Sequence, residues 1–269
     1  MTNTMEKVCV VIPIHSSEPT PNELVSFKQC FKILGNHPIY ILAPKNLILS
    51  NYKASVPFFN VIYIDPKWQS SILNYNKLKL SNLFYSLFNN YEYLLTYELD
   101  AFVFKDELLY WCAKGYDYIG APWFEGFHLG TTENKFLGVG NSGFSLRNIA
   151  NMDKAIRNVF YDKYGKNQIF RRLIHRTFRK IQNLAGENYS IQKDYNQHED
   201  FFIFSEIGEQ IKTFKIATVK DSIKFSFETN PKRLFVLNNQ ELPFGCHAWE
   251  RYEPEFWENY INISKNYFR

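Results

Sequence analysis

The chain reads as an α/β protein, a single domain built on a mainly parallel sheet flanked by helices. Three observations predict this. Short apolar runs such as Val8–Ile14 lack polar alternation, the mark of strands buried on both faces. Segments with apolar residues at helical spacing separate those runs through the first half. The 269 residues, 45% hydrophobic and 22% charged, suffice for one large domain with a sizeable core.

The elements follow in order. Val8-Cys9-Val10-Val11-Ile12-Pro13-Ile14 is a buried strand that runs into a loop, His15 to Thr20. Thr20-Pro21-Asn22-Glu23 is a helix start, with a capping Thr, Pro at the first position and Glu at the third. Leu24, Phe27, Phe31 and Leu34 then recur on one helical face, and Gly35 closes it. Pro38–Pro44 and Asn60–Pro66 are the second and third strands. Leu78–Phe88 has a helical apolar face, Tyr91–Phe104 is a long strand, Asp106–Lys114 a short helix and Tyr116–Pro122 a further strand. Gly138–Gly143 reads as a glycine-rich loop entering a strand at Phe144. Helical patterns follow over Ile149–Tyr161 and Gln168–Leu184.

Composition excludes several classes. Cys9, Cys30, Cys112 and Cys246 are scattered with no CxxC spacing, which argues against a zinc site and for free buried thiols. No stretch approaches the roughly 18 uninterrupted apolar residues of a membrane span, and Met1–Lys7 carries no apolar leader, so a cytoplasmic protein is expected. The net charge of +4 is local. Lys163, Lys166, Arg171, Arg172, Arg176, Arg179 and Lys180 fall in a stretch without a single acid, so the remainder is net negative and no general nucleic-acid surface is indicated. Within that stretch Phe170, Ile174, Phe178 and Ile181 recur at helical spacing. This is a basic amphipathic helix, suited to an anionic membrane surface or to packing on the domain with a solvated basic face.

The candidate chemistry sits at predicted strand ends, where open parallel sheets bind ligands. Pro13 and the His15 loop, Asp65, and the pair Glu98 and Asp100 all fall there. Two carboxylates at i and i+2 share one face of a strand and repel each other, so they either share a metal cation or sit at the strand end, in water or paired with Lys or Arg. His198-Glu199-Asp200 precedes an apolar run and reads as a helix start whose acids either favour the helix dipole or serve as a base. Pro243–Trp249 holds His247, a metal-ligand candidate or a histidine bonded within a packed turn. Asn141 and Ser142 lie in the glycine-rich loop, which is either a plain turn into the Phe144 strand or a place where small residues let a ligand come close. Asn76, Lys77 and Lys79 open the helix leading to the acidic strand and are ligand-facing candidates or a solvated face. Trp123 and Trp249 are core residues or stacking platforms for an acceptor sugar.

This order of pieces resembles a GT-A type glycosyltransferase: an N-terminal strand and loop, an acid-x-acid step, a His-Glu-Asp step and a C-terminal His. "YELDAFVF", "YDYIGAPW", "GNSGFSLRN" and "LPFGCHAWE" are more closely similar to a bacterial family of uncharacterised glycosyltransferase-like domains, over about Val8 to Trp257. The resemblance implies a Rossmann-like GT-A sheet, with a nucleotide-binding half over about residues 1–122 and an acceptor-side half over about 123–269. It implies transfer from a nucleotide-sugar donor to a hydroxyl of a glycan or lipid-linked acceptor, in surface polysaccharide synthesis at the inner face of the membrane. Mn²⁺ or Mg²⁺ would be held by Asp100, Glu98 and His247 against the departing diphosphate. Gln often replaces Glu98 in such relatives, so Asp100 is the first ligand and Glu98 has ribose or a metal-bound water as its alternative. Asp200, with Glu199 as runner-up, would take the acceptor proton in an inverting transfer. Pro13, His15, Asp65, Asn76, Lys79, Asn141 and Ser142 would surround the donor, and Trp123 and Trp249 the acceptor.

Two rival readings stand beside this one. A nucleotidyltransferase shares the metal-carboxylate logic but needs a basic loop after the first strand, and His15-Ser16-Ser17-Glu18 is not basic. A non-catalytic glycan-binding or scaffold protein would not need Asp100, Asp200 and His247 together.

Overall fold

The computed structural model describes residues 5–126, 135–165 and 167–262. The ends of the chain and Lys166, which the sequence analysis counted in the basic stretch, lie outside the described residues. The first half alternates as expected: β1 (Glu6–Pro13), α1 (Pro21–Leu34), β2 (Ile39–Pro44), α2 (Ser50–Ser55), β3 (Asn60–Ile64), α3 (Ile72–Lys79), α4 (Asn82–Ser86) and β4 (Tyr91–Tyr97). Next come β5 (Phe102–Val103), α5 (Leu108–Ala113), β6 (Tyr118–Ile119), β7 (Ala121–Phe124), β8 (Phe136–Gly140), β9 (Phe144–Asn148), α6 (Ile149–Asn158), α7 (Ile169–Asn183) and α8 (Tyr189–Asp194). The last part runs through α9 (Glu199–Phe202), a π-helical turn (Ile203–Ile207), α10 (Gly208–Gln210), α11 (Val219–Phe225), β10 (Ser226–Phe227), α12 (Pro231–Leu237), β11 (Gly245–Cys246) and α13 (Pro254–Trp257).

The central sheet has six strands in the order β3-β2-β1-β4-β9-β6. β1 to β4 pair in parallel, and β9 runs antiparallel to both β4 and β6. The central strands β1 and β4 are largely apolar because both faces of the sheet are covered there. Val8, Val10 and Ile12 of β1 enter one core with Phe27 and Leu34 of α1, while Cys9 and Val11 enter the other with Phe84 of α4 and Met152 of α6. All four cysteines are buried free thiols. Helix α1 carries the full capping box expected from Thr20 and Glu23.

The chain moves outward from β1 to β3 and then returns to the other side of β1 with β4. This reversal leaves a crevice at the carboxyl ends of β1 and β4. A second, three-stranded sheet, β10-β11-β5, lies beyond it. Phe102 of β5 faces Cys246 of β11, and Phe227 of β10 faces the same Cys246 from the other side.

Several sequence expectations change at this level. The predicted strand Tyr91–Phe104 breaks after Tyr97. Residues 98–101 form a turn closed by the Ala101 N–H donating to the Glu98 carbonyl at 2.9 Å. Glu98 and Asp100 therefore leave the strand, and strand alternation is not what brings them together. The helix predicted over Leu78–Phe88 is two helices, because Ser81 caps α4 by accepting from the Phe84 N–H. Asn76, Lys77 and Lys79 thus close α3 and do not open a helix. The expected glycine loop Gly138–Gly143 is half strand, since β8 pairs with β7 as far as Gly140. Only Asn141, at φ 83°, and the next two residues turn the chain into β9.

Candidate active site

Three side chains meet at the crevice. Asp100 lies just before β5, His247 just after β11 and Glu228 just after β10, so the register of the small sheet places all three at one edge. His247 Nε2 is 3.0 Å from Asp100 Oδ1 and 3.8 Å from Glu98 Oε2, and its Nδ1 is 3.0 Å from Glu228 Oε1. Ligand atoms of Glu98, Asp100 and His247 all fall within 4.8 Å of one another. Gly143 is what admits the ring, since a Cβ there would overlap His247 Nε2.

This set fits a divalent cation. His247 Nε2 lies within ion-pair distance of Asp100, yet this buried atom has no hydrogen-bond partner among the described residues. Glu228 fixes the imidazole from behind, as the outer carboxylate commonly does for a ligating histidine. Two carboxylates and one imidazole suit Mn²⁺ or Mg²⁺ better than a soft metal.

Behind the triad lies a buried charge network. Lys79 Nζ sits 3.2 Å from Glu98 Oε1 and 3.3 Å from Glu199 Oε2, and also contacts Ser142 Oγ. Arg147, fully buried in β9, closes on Glu199 Oε1 at 2.6 Å. Lys79 and Arg147 thus meet Glu199 away from water, with Glu98 joining from the cavity wall, and this pairing makes the burial tolerable. Burial is the largest influence and pushes both carboxyls up, but Lys79 together with His247 at Glu98, and Lys79 together with Arg147 at Glu199, outweigh it. Both are held below the usual carboxylate range. Asp200 behaves in the opposite way. Burial first, then the Glu199 and Glu228 carboxylates, push its carboxyl up to about 7. It accepts from the backbone N–H of Asn141 at 3.1 Å and of Phe201 at 2.9 Å.

A cavity of about 520 Å³ opens on this cluster and is lined by Pro13, His15, Ser71, Tyr75, Glu98 and Asp100 among others. Asn141 borders the same network through Asp200. Its Oδ1 accepts from the Gly143 and Phe144 N–H groups, and its buried Nδ2 has no partner among the described residues. A second cleft of about 450 Å³, with His37, Lys105, Asp106 and Tyr110 in its wall, gathers no comparable set of converging donors.

The structure thus brings together Pro13, His15, Lys79, Glu98, Asp100, Asn141, Ser142, Glu199, Asp200 and His247. Other candidates stand elsewhere. Asp65 ends the edge strand β3, where it caps a 3₁₀ turn by accepting from the Lys67 N–H at 3.0 Å. Asn76 is the exception, buried in α3 one helical turn before Lys79. Trp249 is fully buried with Phe227, Phe256 and Trp257, and offers no ring face to a sugar. Trp123 is likewise buried, packed edge-on against Phe204 at 5.9 Å and over Gly140, where a Cβ would overlap its ring. The acceptor platforms expected from these two tryptophans are core residues.

Three participants escaped sequence reasoning. Glu228 sits in a segment with no motif, and Arg147 lies in the GNSGFSLRN stretch but was given no role. Tyr75, over whose ring Lys79 Nζ stacks at 4.0 Å, reads as one more aromatic in an aromatic-rich chain. A signal existed for Arg147 alone: an arginine inside an otherwise apolar strand needs a buried acid.

A sequence model of the family described as protein of unknown function (DUF5672) matches residues 58–247. The chain belongs to that family. The family span takes in Lys79, the Glu98–Asp100 turn, Arg147, Glu199, Asp200, Glu228 and His247, that is, the whole polar cluster. No curated protein sequence matches significantly. Among solved structures, the chain is similar to the apo form of mouse xyloside xylosyltransferase 1 (11% identity, TM-score 0.49, covering 90% of this chain and 97% of that one). It is similar to the galactosyltransferase LgtC in complex with donor and acceptor sugar analogs (14% identity, TM-score 0.49, 96% and 92%). A third is the apo form of the glycosyltransferase GlyE from Streptococcus pneumoniae TIGR4 (14% identity, TM-score 0.47), where the chain spans 96% of itself but 60% of that protein.

Proposed function

We propose that this protein is a divalent-metal-dependent glycosyltransferase that moves a sugar from a nucleotide-sugar donor to a hydroxyl of a glycan or lipid-linked acceptor. The observation that carries the reading is the convergence of Asp100, Glu98 and His247 at the crevice between β1 and β4. There His247 Nε2 is buried without a hydrogen bond while Glu228 holds its other nitrogen.

Asp100, Glu98 and His247 would hold Mn²⁺ or Mg²⁺, whose chemistry when bound is to neutralise the diphosphate as it departs. Glu98 is shared with Lys79, so Asp100, 45% exposed at the cavity, is the freer ligand. Pro13 and His15 form the wall on the β1 side, where a nucleoside would lie, in keeping with a nucleotide half over about residues 1–122. Asn141 would give its unpartnered Nδ2 to a donor hydroxyl. Ser142 is already engaged by Lys79 and Glu98, so it serves the site by holding that network.

Asp200 is the base in this scheme. Glu199 is spent on Arg147 and Lys79, whereas Asp200 accepts only backbone N–H groups among the described residues, and its carboxyl is tuned near neutrality. A base of that strength can take the acceptor proton as the hydroxyl attacks, which is the requirement of an inverting displacement. A place in surface polysaccharide synthesis, on the cytoplasmic side, completes the proposal. No helix among the described residues is long and apolar enough to cross a membrane.

The test is a panel of nucleoside diphosphates and nucleotide sugars, with and without Mn²⁺ or Mg²⁺, read first by thermal stabilisation and then by sugar release. Stabilisation that requires metal and nucleotide together supports the reading. A shift confined to nucleoside triphosphates, or none at all, overturns it.

A further inference from the structure

Helix α7 is built the wrong way round for a helix that packs on a domain. Ordinarily the apolar face is buried and the charged face meets water. In α7 the charged stripe faces the protein. Arg172 and Arg176 reach Asp162, with Arg172 Nε 2.9 Å from Oδ2, and His175 and Arg179 reach Asp194 at 3.0 and 2.7 Å. These four residues follow helical spacing and occupy one face.

The opposite face carries Phe170, Leu173, Ile174, Phe178 and Ile181, continued by Leu184, and Ile169 is exposed at the helix start. Each is between 53% and 86% exposed, and no residue of the helix is buried. Leaving so continuous an apolar stripe in water is costly, and such patches mark interaction surfaces. Arg171 and Lys180 edge the stripe, exposed and without an ion-pair partner among the described residues.

We infer that α7 is a docking element for an anionic bilayer, its apolar stripe entering the acyl boundary while Arg171 and Lys180 meet lipid phosphates. Charge selects this occupant. Residues 163–186 contain no acid, so pairing with a second copy through this face would set cation against cation. An anionic surface supplies both the apolar depth and the opposite charge that the stripe lacks. The anchor is firm on the protein side. Gln192 of α8, the next helix, donates from Nε2 to the backbone oxygens of Lys77 and Leu80 at 3.0 Å, beside the residue that ties the two acidic steps together. Docking through α7 would therefore fix the orientation of the crevice to the membrane. The inference stands apart from the glycosyl-transfer reading, and its test involves no turnover.

The full chain is co-sedimented with vesicles of phosphatidylcholine alone or with one-quarter phosphatidylglycerol. Wild type is expected to bind the anionic vesicles and to be released as salt rises. Arg171→Gln with Lys180→Gln should weaken partitioning about 30-fold, the effect of two surface cations. Phe170→Ser, Ile174→Ser and Ile181→Ser together should weaken it by about 100-fold or more. To guard against a folding defect in the triple variant, Ile174→Cys carries an environment-sensitive dye; the four native thiols are buried, so labelling is selective. Its emission should shift blue only with anionic vesicles. Wild type remaining in the supernatant, an unshifted dye, or a dimer in light scattering that the serine variant dissolves would each overturn the inference.

Discussion

The Lys79 ammonium stands 3.3 Å from the Glu199 carboxylate, and both side chains are sealed from water, at 1% and 0% exposure. Through its second contact, to Glu98, this lysine joins the acid-x-acid turn to the His-Glu-Asp step. Sequence analysis placed Lys79 among donor-binding residues; its position makes it the keystone of a buried network. Replacing it with Met leaves two acids short of a cation in a dry site. The expected cost is about 3–5 kcal/mol of stability, the range for a broken buried pair. Urea unfolding measures this, and a Lys79→Met protein of wild-type midpoint would contradict the network.

The carboxylate behind His247 gives a second expectation. Glu228→Gln keeps the shape but weakens the grip on the imidazole, and outer-shell losses of this kind lower metal affinity about 10- to 100-fold. Mn²⁺ titration monitored by calorimetry should show that loss with the unfolding midpoint of the metal-free protein little changed. Unaltered affinity would mean that Glu228 does not orient the ring.

Asp200 ties pH to both stability and transfer. Its carboxyl is raised from an ordinary 3.8 to about 7. The native state therefore holds this proton more tightly than the unfolded chain, and the stability it confers falls as pH rises from about 4 to 7. Asp200→Asn mimics the neutral acid. It should match wild type near pH 4 and exceed it above pH 7 by on the order of 4 kcal/mol. Transfer by wild type should climb through the same window as the base ionises, and the Asn variant should lose about 10²-fold or more. Thermal melts at pH 4.5 and 8 give the first half; a variant no more stable at pH 8 would show that Asp200 is not strained there.

Gly143 offers a steric probe. Ala at this position pushes a methyl group into His247, so metal-linked stabilisation should drop while the cores flanking the sheet remain intact. An unchanged metal titration would show that the ring has room to retreat.

Much of this was legible in the chain. The Val8–Ile14 run, the Thr20–Glu23 cap and the alternation up to Tyr97 are local signals, and local signals sufficed for the parallel half of the sheet. Glu98, Asp100, Asp200 and His247 stood out because polar residues interrupt apolar runs there. Where the reading went astray, long-range pairing decided. The break after Tyr97 depends on Phe102 leaving to join β11, more than 140 residues later, and nothing near Leu99 announces it. Trp123 and Trp249 were ambiguous because a buried and a stacking indole look alike in sequence. The inverted polarity of α7 was also hidden, since its amphipathic pattern does not tell which face meets Asp162 and Asp194.

The central claim is that Asp100, Glu98 and His247 hold a divalent cation against a nucleoside diphosphate. The most direct measurement is the thermal stabilisation of wild type and Asp100→Asn by Mn²⁺ with each nucleoside diphosphate in turn. Ligand at about 100 times its dissociation constant adds close to 2.7 kcal/mol. Wild type should gain stabilisation of that order with one nucleotide and only when Mn²⁺ is present, and Asp100→Asn, equally stable without ligand, should gain almost none. Equal metal-linked stabilisation of the two proteins, or none in wild type with any nucleotide, would contradict the account.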